Sequence, residues 1–369
     1  MTEKNDLQKR KKYNRYKIFL SITETIIGLL FLLLILLTGF SINIENWIRL
    51  SFNNDYIVLL LFTAVIGGLD FLIMFPLSWY SGYYLEHKFE LSNQTFGQWL
   101  WEKAKAMMVS IPIAVILLLI FYTLLKNYET YWWAIMATVM LIFSVILSRL
   151  APVLIFPLFY DFEPLENEEL AEKVKKLCEK VGLDLKGVFQ FNLSKTTKKG
   201  NAAFTGMGKS RRVILGDTML EKLEDDEILG VLAHELGHYK LKHLWKGMGL
   251  SIVMTYAGLF LVALIYNQLY SVIGDHHYTI AALPLMAIIL SIYGFVTSPI
   301  GNAYSRKNER EADDFAVALT GDNKSFISGL EKLSKQNLSD PDPHPLTVFF
   351  YYSHPPIKER LNRLRKAEE

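Results

Sequence analysis

Six stretches of the chain are apolar almost without interruption: 18–40, 56–80, 106–125, 131–157, 247–270 and 279–300. Together they hold only three charged side chains, Glu24, Asp70 and Arg149. Each stretch has at least 20 residues, and a helix rising about 1.5 Å per residue then crosses a hydrocarbon core about 30 Å thick. The pattern predicts six transmembrane helices. Segments 158–246 and 301–369 differ sharply, with 30 charges in 89 residues and 22 in 69, and belong in water. The expected division is a four-helix membrane region over 1–157, a polar part over 158–246, two more membrane helices over 247–300, and a second polar part over 301–369.

Charge sets the orientation. Lys4, Lys9, Arg10, Lys11, Lys12, Arg15 and Lys17 precede the first apolar stretch, and Lys88, Lys103 and Lys105 lie in the loop 81–105. The opposite side has Arg49 and Lys126 only. Excess Lys and Arg mark the cytoplasmic side, so the N-terminus and both polar parts are expected there. The first apolar run is too long for a signal peptide and lacks a small-residue cleavage pattern, so it reads as an uncleaved anchor. Asp70 lies mid-helix, where an acid is costly unless it faces a water-filled cavity or a polar partner. Glu24 and Arg149 lie nearer helix ends, where snorkelling suffices.

Composition alone is nearly ordinary, at 51% hydrophobic and 21% charged with a net charge of +2, because it averages two environments. It excludes a disordered chain. The single cysteine, Cys178, excludes an internal disulfide, and its helical spacing after Leu170, Val174 and Leu177 reads as a buried core thiol. Basic residues are balanced by acids and no stacking motif is present, which leaves nucleic-acid binding without support.

Within 158–246 the periodicity predicts a helix over about 166–181 ended by Gly182, and a strand near Val188–Phe191. A hairpin follows, with 201–205 and 211–215 flanking Gly206–Ser210. A further helix starts at Asp225 or Asp226, which are good N-cap residues. That helix carries His234-Glu235-Leu236-Gly237-His238. The i, i+4 spacing puts both imidazoles on one face, where they can converge on one Zn²⁺, and Glu235 reaches a water beside the metal rather than the metal. His243, nine residues past His234, falls on the opposite face of a continuous helix and suits a structural role. A catalytic zinc also needs a third protein ligand. Ser305–Ala316 offers Glu309 and Asp313 on one helical face, while Glu311 and Asp314 point elsewhere; on spacing alone a charge run of this kind is more often a solvated face.

At this point several motifs, in order, resemble the membrane-integrated zinc peptidases of the CAAX prenyl protease type, the Ste24-like branch of the gluzincins. Pro76–Tyr80, Glu86–Phe89 and Asn93–Thr95 resemble the loop after an early helix in that family. Asn201–Phe204 with Arg212–Thr218 resembles its edge hairpin, and His234–His243 its metal helix. Ser305–Ala316 resembles its third-ligand helix, and Tyr352–Pro356 with Glu359–Leu361 its C-terminal signature.

The resemblance implies an α-helical integral membrane protein with about six transmembrane helices and a cytoplasmic gluzincin-type zinc peptidase domain containing a small β-sheet. It implies one Zn²⁺ per chain on His234, His238 and Glu309, with Glu235 as catalytic base. Asp313 is then a proton-handling or orienting carboxylate, and Arg360 braces the carboxylates. His354 is expected to stabilise the oxyanion, although from sequence a capping histidine before two prolines explains it equally. Asn201 and Ala203 are expected to pair with an extended substrate. Eukaryotic members have seven membrane helices; six are counted here, with no counterpart to the first.

The activity so implied is a zinc metalloendopeptidase that cleaves membrane-associated peptides or proteins, with or without a lipid, at the bilayer. A broad quality-control protease of membrane proteins is the alternative, favoured if the chain is bacterial, as its Lys-, Ile- and Asn-rich composition suggests. A non-catalytic membrane carrier ranks below both, because it has no use for a base beside two metal ligands.

Overall fold

A computed structural model describes residues 3–205 and 211–366; the expected hairpin turn Gly206–Ser210 lies outside them. Among the described residues, six helices are long and apolar enough to cross a membrane: Lys4–Leu37, Asp55–Lys88, Phe96–Asn127, Trp132–Leu158, His243–Val272 and Ile280–Thr320. They coincide with the six apolar stretches but outrun them. Between none and 39% of each apolar window is buried inside the protein. So large a continuous apolar surface requires lipid around it.

Local chemistry starts these helices where the sequence allows. Asn54 accepts from the amides of Tyr56 and Ile57, and Thr95 forms a capping box with Gln98. Pro76 lies near the end of its helix and is followed by a π-helical turn, Tyr80–Tyr84. The boundary expected at 300/301 is absent. Leu283–Thr320 is one helix of 38 residues, with Pro299 inside it, so the last membrane span continues into water as the helix that bears Glu309.

Beyond the spans lies a four-stranded sheet: β1 (Phe162–Pro164), β2 (Gly187–Phe191), β3 (Ala202–Thr205) and β4 (Arg212–Gly216). The spatial order is β1-β2-β4-β3. β2 and β4 run parallel, with Val188 opposite Val213, and β3 is antiparallel to β4, with Ala203 opposite Ile214. Val188, Val213 and Leu215 point into the main core, whereas Ile214 joins Phe191 and Leu193 on the other face.

That main core unites the two polar parts. Leu170, Val174 and Cys178 of the helix Glu168–Glu179 meet Ile228, Leu232 and Leu236 of the helix Asp225–Lys240. Ala316, Phe326, Leu330 and Leu364 from the other segment complete it. The two polar parts therefore form one body rather than separate domains. Each fully buried aliphatic side chain contributes about 1.5–3 kcal/mol. Burial pushes the Cys178 thiol up to about 12, which makes it an inert core residue. Gly182 follows its helix at φ 73, as the sequence indicates. The helix Asp225–Lys240 is capped by Glu224, not by Asp225 or Asp226. Glu224 and Glu227 form a reciprocal box, and Ser328 and Lys332 hold the buried Glu227 carboxylate.

Candidate metal centre and active site

Two helices bring the metal-binding residue types together. Asp225–Lys240 packs along Leu283–Thr320, and Gly237 lies against Ala312 of the second helix. A Cβ there would sit 3.0 Å from the Cα of Ala312 and 3.2 Å from its carbonyl oxygen. At this separation the donor atoms of His234, His238 and Glu309 all lie within 4.8 Å of one another. The two Nε2 atoms are 3.2 Å apart. Glu309 reaches them with Oε2 3.3 Å from His234 and Oε1 3.3 Å from His238.

These residues suit a metal ion. Oε2 of Glu309 is buried without a hydrogen-bond partner, and the two imidazole Nε2 atoms lie 3.3 Å from the carboxylate oxygens of the same residue. Two nitrogens and a carboxylate match the donor preference of zinc.

The surroundings orient the set. His234 Nδ1 lies 2.8 Å from Asp313 Oδ1, close enough for a pair but too bent to count as a well-aligned hydrogen bond. Arg360, from the helix Ile357–Lys366, grips Asp313 through Nε and Nη2. Burial alone would depress the basicity of His234, but Asp313 and Glu309 outweigh it and lift its pKa to about 9 in this metal-free geometry. Burial likewise works against the Arg360 charge, and Asp313 more than offsets it.

Glu235 lines a cleft with Asn201, Ala202, His234, Glu309 and His354. His354, itself exposed, has Nε2 3.3 Å from Glu309 Oε1. β3 forms the rim, and its outer edge is unpaired among the described residues. The Asn201 carbonyl accepts from the Gly216 amide. Backbone groups alternate sides along a strand, so Ala203 also faces β4, while Ala202 and Phe204 face the open edge. The backbone groups on the open edge are thus those of Ala202 and Phe204, while those of Asn201 and Ala203 are turned to β4. The Ala203 side chain packs on the far face with Ile214 and Phe191.

Residues 164–368 match peptidase family M48, and residues 1–161 match the CAAX prenyl protease N-terminal family, described with five membrane helices. The chain belongs to peptidase family M48. Among M48 relatives, the uncharacterized metalloprotease YhfN of Bacillus subtilis is 31% identical, over 99% of this chain and 86% of that protein. CAAX prenyl protease 1 of Saccharomyces cerevisiae is 30% identical, over 84% and 72%. The crystal structure of S. mikatae Ste24p superposes with a TM-score of 0.88 at 27% identity, covering 98% of this chain and 90% of that one. The protein is an integral, multi-pass zinc metallopeptidase of the Ste24-like CAAX protease family, and its substrate is a peptide or protein. Among the described residues, four of the six spans fall within 1–161, one fewer than the five of the matched CAAX prenyl protease N-terminal family.

Two features escape the sequence. Lys242 has φ 58, which breaks the helix and begins another at His243. His243 therefore turns back toward His238 instead of occupying the opposite face, and it pairs with Glu311. Glu24 does not simply snorkel: it lines an intramembrane cavity with Asp70, Thr25, Thr63 and Ser291.

Proposed function

We propose that His234, His238 and Glu309 hold one Zn²⁺ and that Glu235 is the catalytic base of a membrane endopeptidase. The observation that carries this reading is the convergence of three donor groups, one with an orphaned oxygen, two of which, His234 and Glu309, line one cleft with the Glu235 carboxylate and Ala202 of the edge strand. When bound, zinc supplies Lewis-acid polarisation and acidifies a coordinated water. An extended substrate pairs with the outward backbone groups of Ala202 and Phe204, and Asn201 lines the same cleft. Glu235 takes the proton from the attacking water and returns it to the leaving amine. His354 donates from Nε2 to the developing oxyanion. Asp313, fixed by Arg360, accepts from His234 Nδ1 and holds that ring's orientation.

The substrate we propose is a membrane-associated peptide carrying a lipid near its scissile bond. The CAAX prenyl protease names among the relatives support it, as does the intramembrane cavity lined by Asp70 and Glu24. The asymmetry of flanking Lys and Arg supports a site on the cytoplasmic face, and the match to YhfN supports a bacterial membrane. Purified protein is assayed with a prenylated peptide and with an unlipidated membrane protein. Preferential cleavage of the first is expected; efficient cleavage of the second alone would favour a quality-control protease. Glu235→Gln is expected to keep stoichiometric zinc and lose proteolysis at least a hundredfold, on the scale of general-base catalysis. Retained activity would remove Glu235 from the mechanism.

A further inference from the structure

We infer that His243 and Glu311 form an orienting chain behind His238, making His243 a positioning residue for the metal centre. This rests on the zinc reading above. His243 Nδ1 lies 3.0 Å from His238 Nδ1, and His243 Nε2 lies 3.1 Å from Glu311 Oε2. The His243 ring is buried, and Glu311 sits two residues beyond Glu309 on the helix Leu283–Thr320. Lys307 lies behind Glu311 at 3.8 Å.

One proton assignment satisfies the whole chain. With His238 Nε2 directed at the metal, its Nδ1 carries hydrogen and must donate. His243 Nδ1 is then the acceptor, so the hydrogen of His243 sits on Nε2 and is donated to the acceptor-only Glu311 carboxylate. Each tautomer fixes the next, and His238 is held with its Nε2 lone pair free. The left-handed residue Lys242 makes this geometry possible by turning the ring of His243 back into the site. A non-glycine residue in that region is uncommon, and here it is what brings His243 to His238. The two histidines thus have different supports: His234 is backed directly by a carboxylate bound to arginine, and His238 by a neutral imidazole with a carboxylate beyond it.

The test measures zinc affinity of the full-length protein in detergent by chelator competition, together with the visible spectrum of the cobalt-substituted protein. His243→Ala is expected to weaken zinc binding by about 10–100-fold, the usual effect of losing a ligand's hydrogen-bond partner. It should also shift the cobalt bands and lower kcat with KM unchanged. His243→Asn places an oxygen near the Nδ1 position and is expected to recover most of the affinity. Unchanged affinity and spectrum in His243→Ala overturn the inference, as does an equal loss in His243→Asn. If His243→Ala does not yield monodisperse protein, Glu311→Ala decides: weaker zinc binding supports the chain, and wild-type binding overturns it. His238→Ala is the control for the underlying reading. If that variant keeps zinc, the ligand assignment itself fails, whereas loss there with no change at His243 removes only the orienting chain.

Discussion

Arg360 holds Asp313 by two hydrogen bonds, Nε to Oδ2 at 2.9 Å and Nη2 to Oδ1 at 2.5 Å. Both side chains are nearly sealed from solvent, and Asp313 also faces His234. The C-terminal helix is thereby fastened to the metal centre through one buried ion pair. Removing one partner of such a pair leaves an uncompensated charge, at a cost of about 3–5 kcal/mol. Arg360→Met is therefore expected to lower the thermal midpoint in detergent by several degrees and to weaken zinc binding. Pairing it with Asp313→Asn should restore stability better than it restores zinc affinity. A single Arg360→Met variant as stable as wild type would show that the pair carries no such energy.

The contact at Gly237 is against backbone. Its hypothetical Cβ meets the Cα and carbonyl oxygen of Ala312, which cannot move aside as a side-chain tip can. Gly237→Ala should push the two helices apart and separate Glu309 from the histidines, at about 1–3 kcal/mol of overpacking and with a marked loss of zinc. Adding Ala312→Gly removes the Ala312 Cβ, 3.3 Å away, but should rescue it only in part, because the nearer Cα and carbonyl oxygen remain. Normal zinc content in Gly237→Ala would refute the close-approach argument.

Much of this was legible in the chain. The six spans follow from charge-free runs, because lipid tolerates little else, and the spacing of His234 and His238 places both on one helical face. What stayed hidden depends on backbone geometry that side-chain types do not announce. The apolar run stops at 300 and charges follow, yet the helix continues because its next face is taken up by the core at Ala312 and Ala316. Lys242 gives no hint of a left-handed backbone, so a continuous-helix rotation misplaced His243. The side-chain pattern of β3 cannot reveal which backbone groups face outward; the Asn201–Gly216 hydrogen bond decides that.

Metal affinity should depend on pH with a definite sign. In the metal-free geometry the His234 pKa is raised to about 9, above its usual value near 6.5. Its stabilising proton is fully present below about 6.5 and lost as pH rises through about 9. Zinc must displace that proton, so near neutral pH the apparent affinity should rise with pH, by up to about tenfold per unit for one proton released, and level off above about 9. Chelator competition between pH 6.5 and 9.5, with calorimetry in buffers of different ionisation enthalpy, checks both the slope and the released proton. A pH-independent affinity would contradict the His234–Asp313–Glu309 coupling.

The edge of β3 yields the sharpest contrast between adjacent residues. The Ala202 amide faces the open side and the Ala203 amide faces β4, so proline at the two positions removes hydrogen bonds of different kinds. Proline is tolerated where the missing N–H would have pointed away from the sheet. Ala202→Pro should therefore leave the fold and zinc content near wild type while lowering kcat/KM by about tenfold or more, the worth of one backbone hydrogen bond of about 1.5 kcal/mol to an extended substrate. Ala203→Pro breaks the pairing to β4 and should reduce thermal stability first. If Ala203→Pro is the variant that stays folded and loses only substrate, the register argument is inverted and the outward groups are those of Asn201 and Ala203 after all.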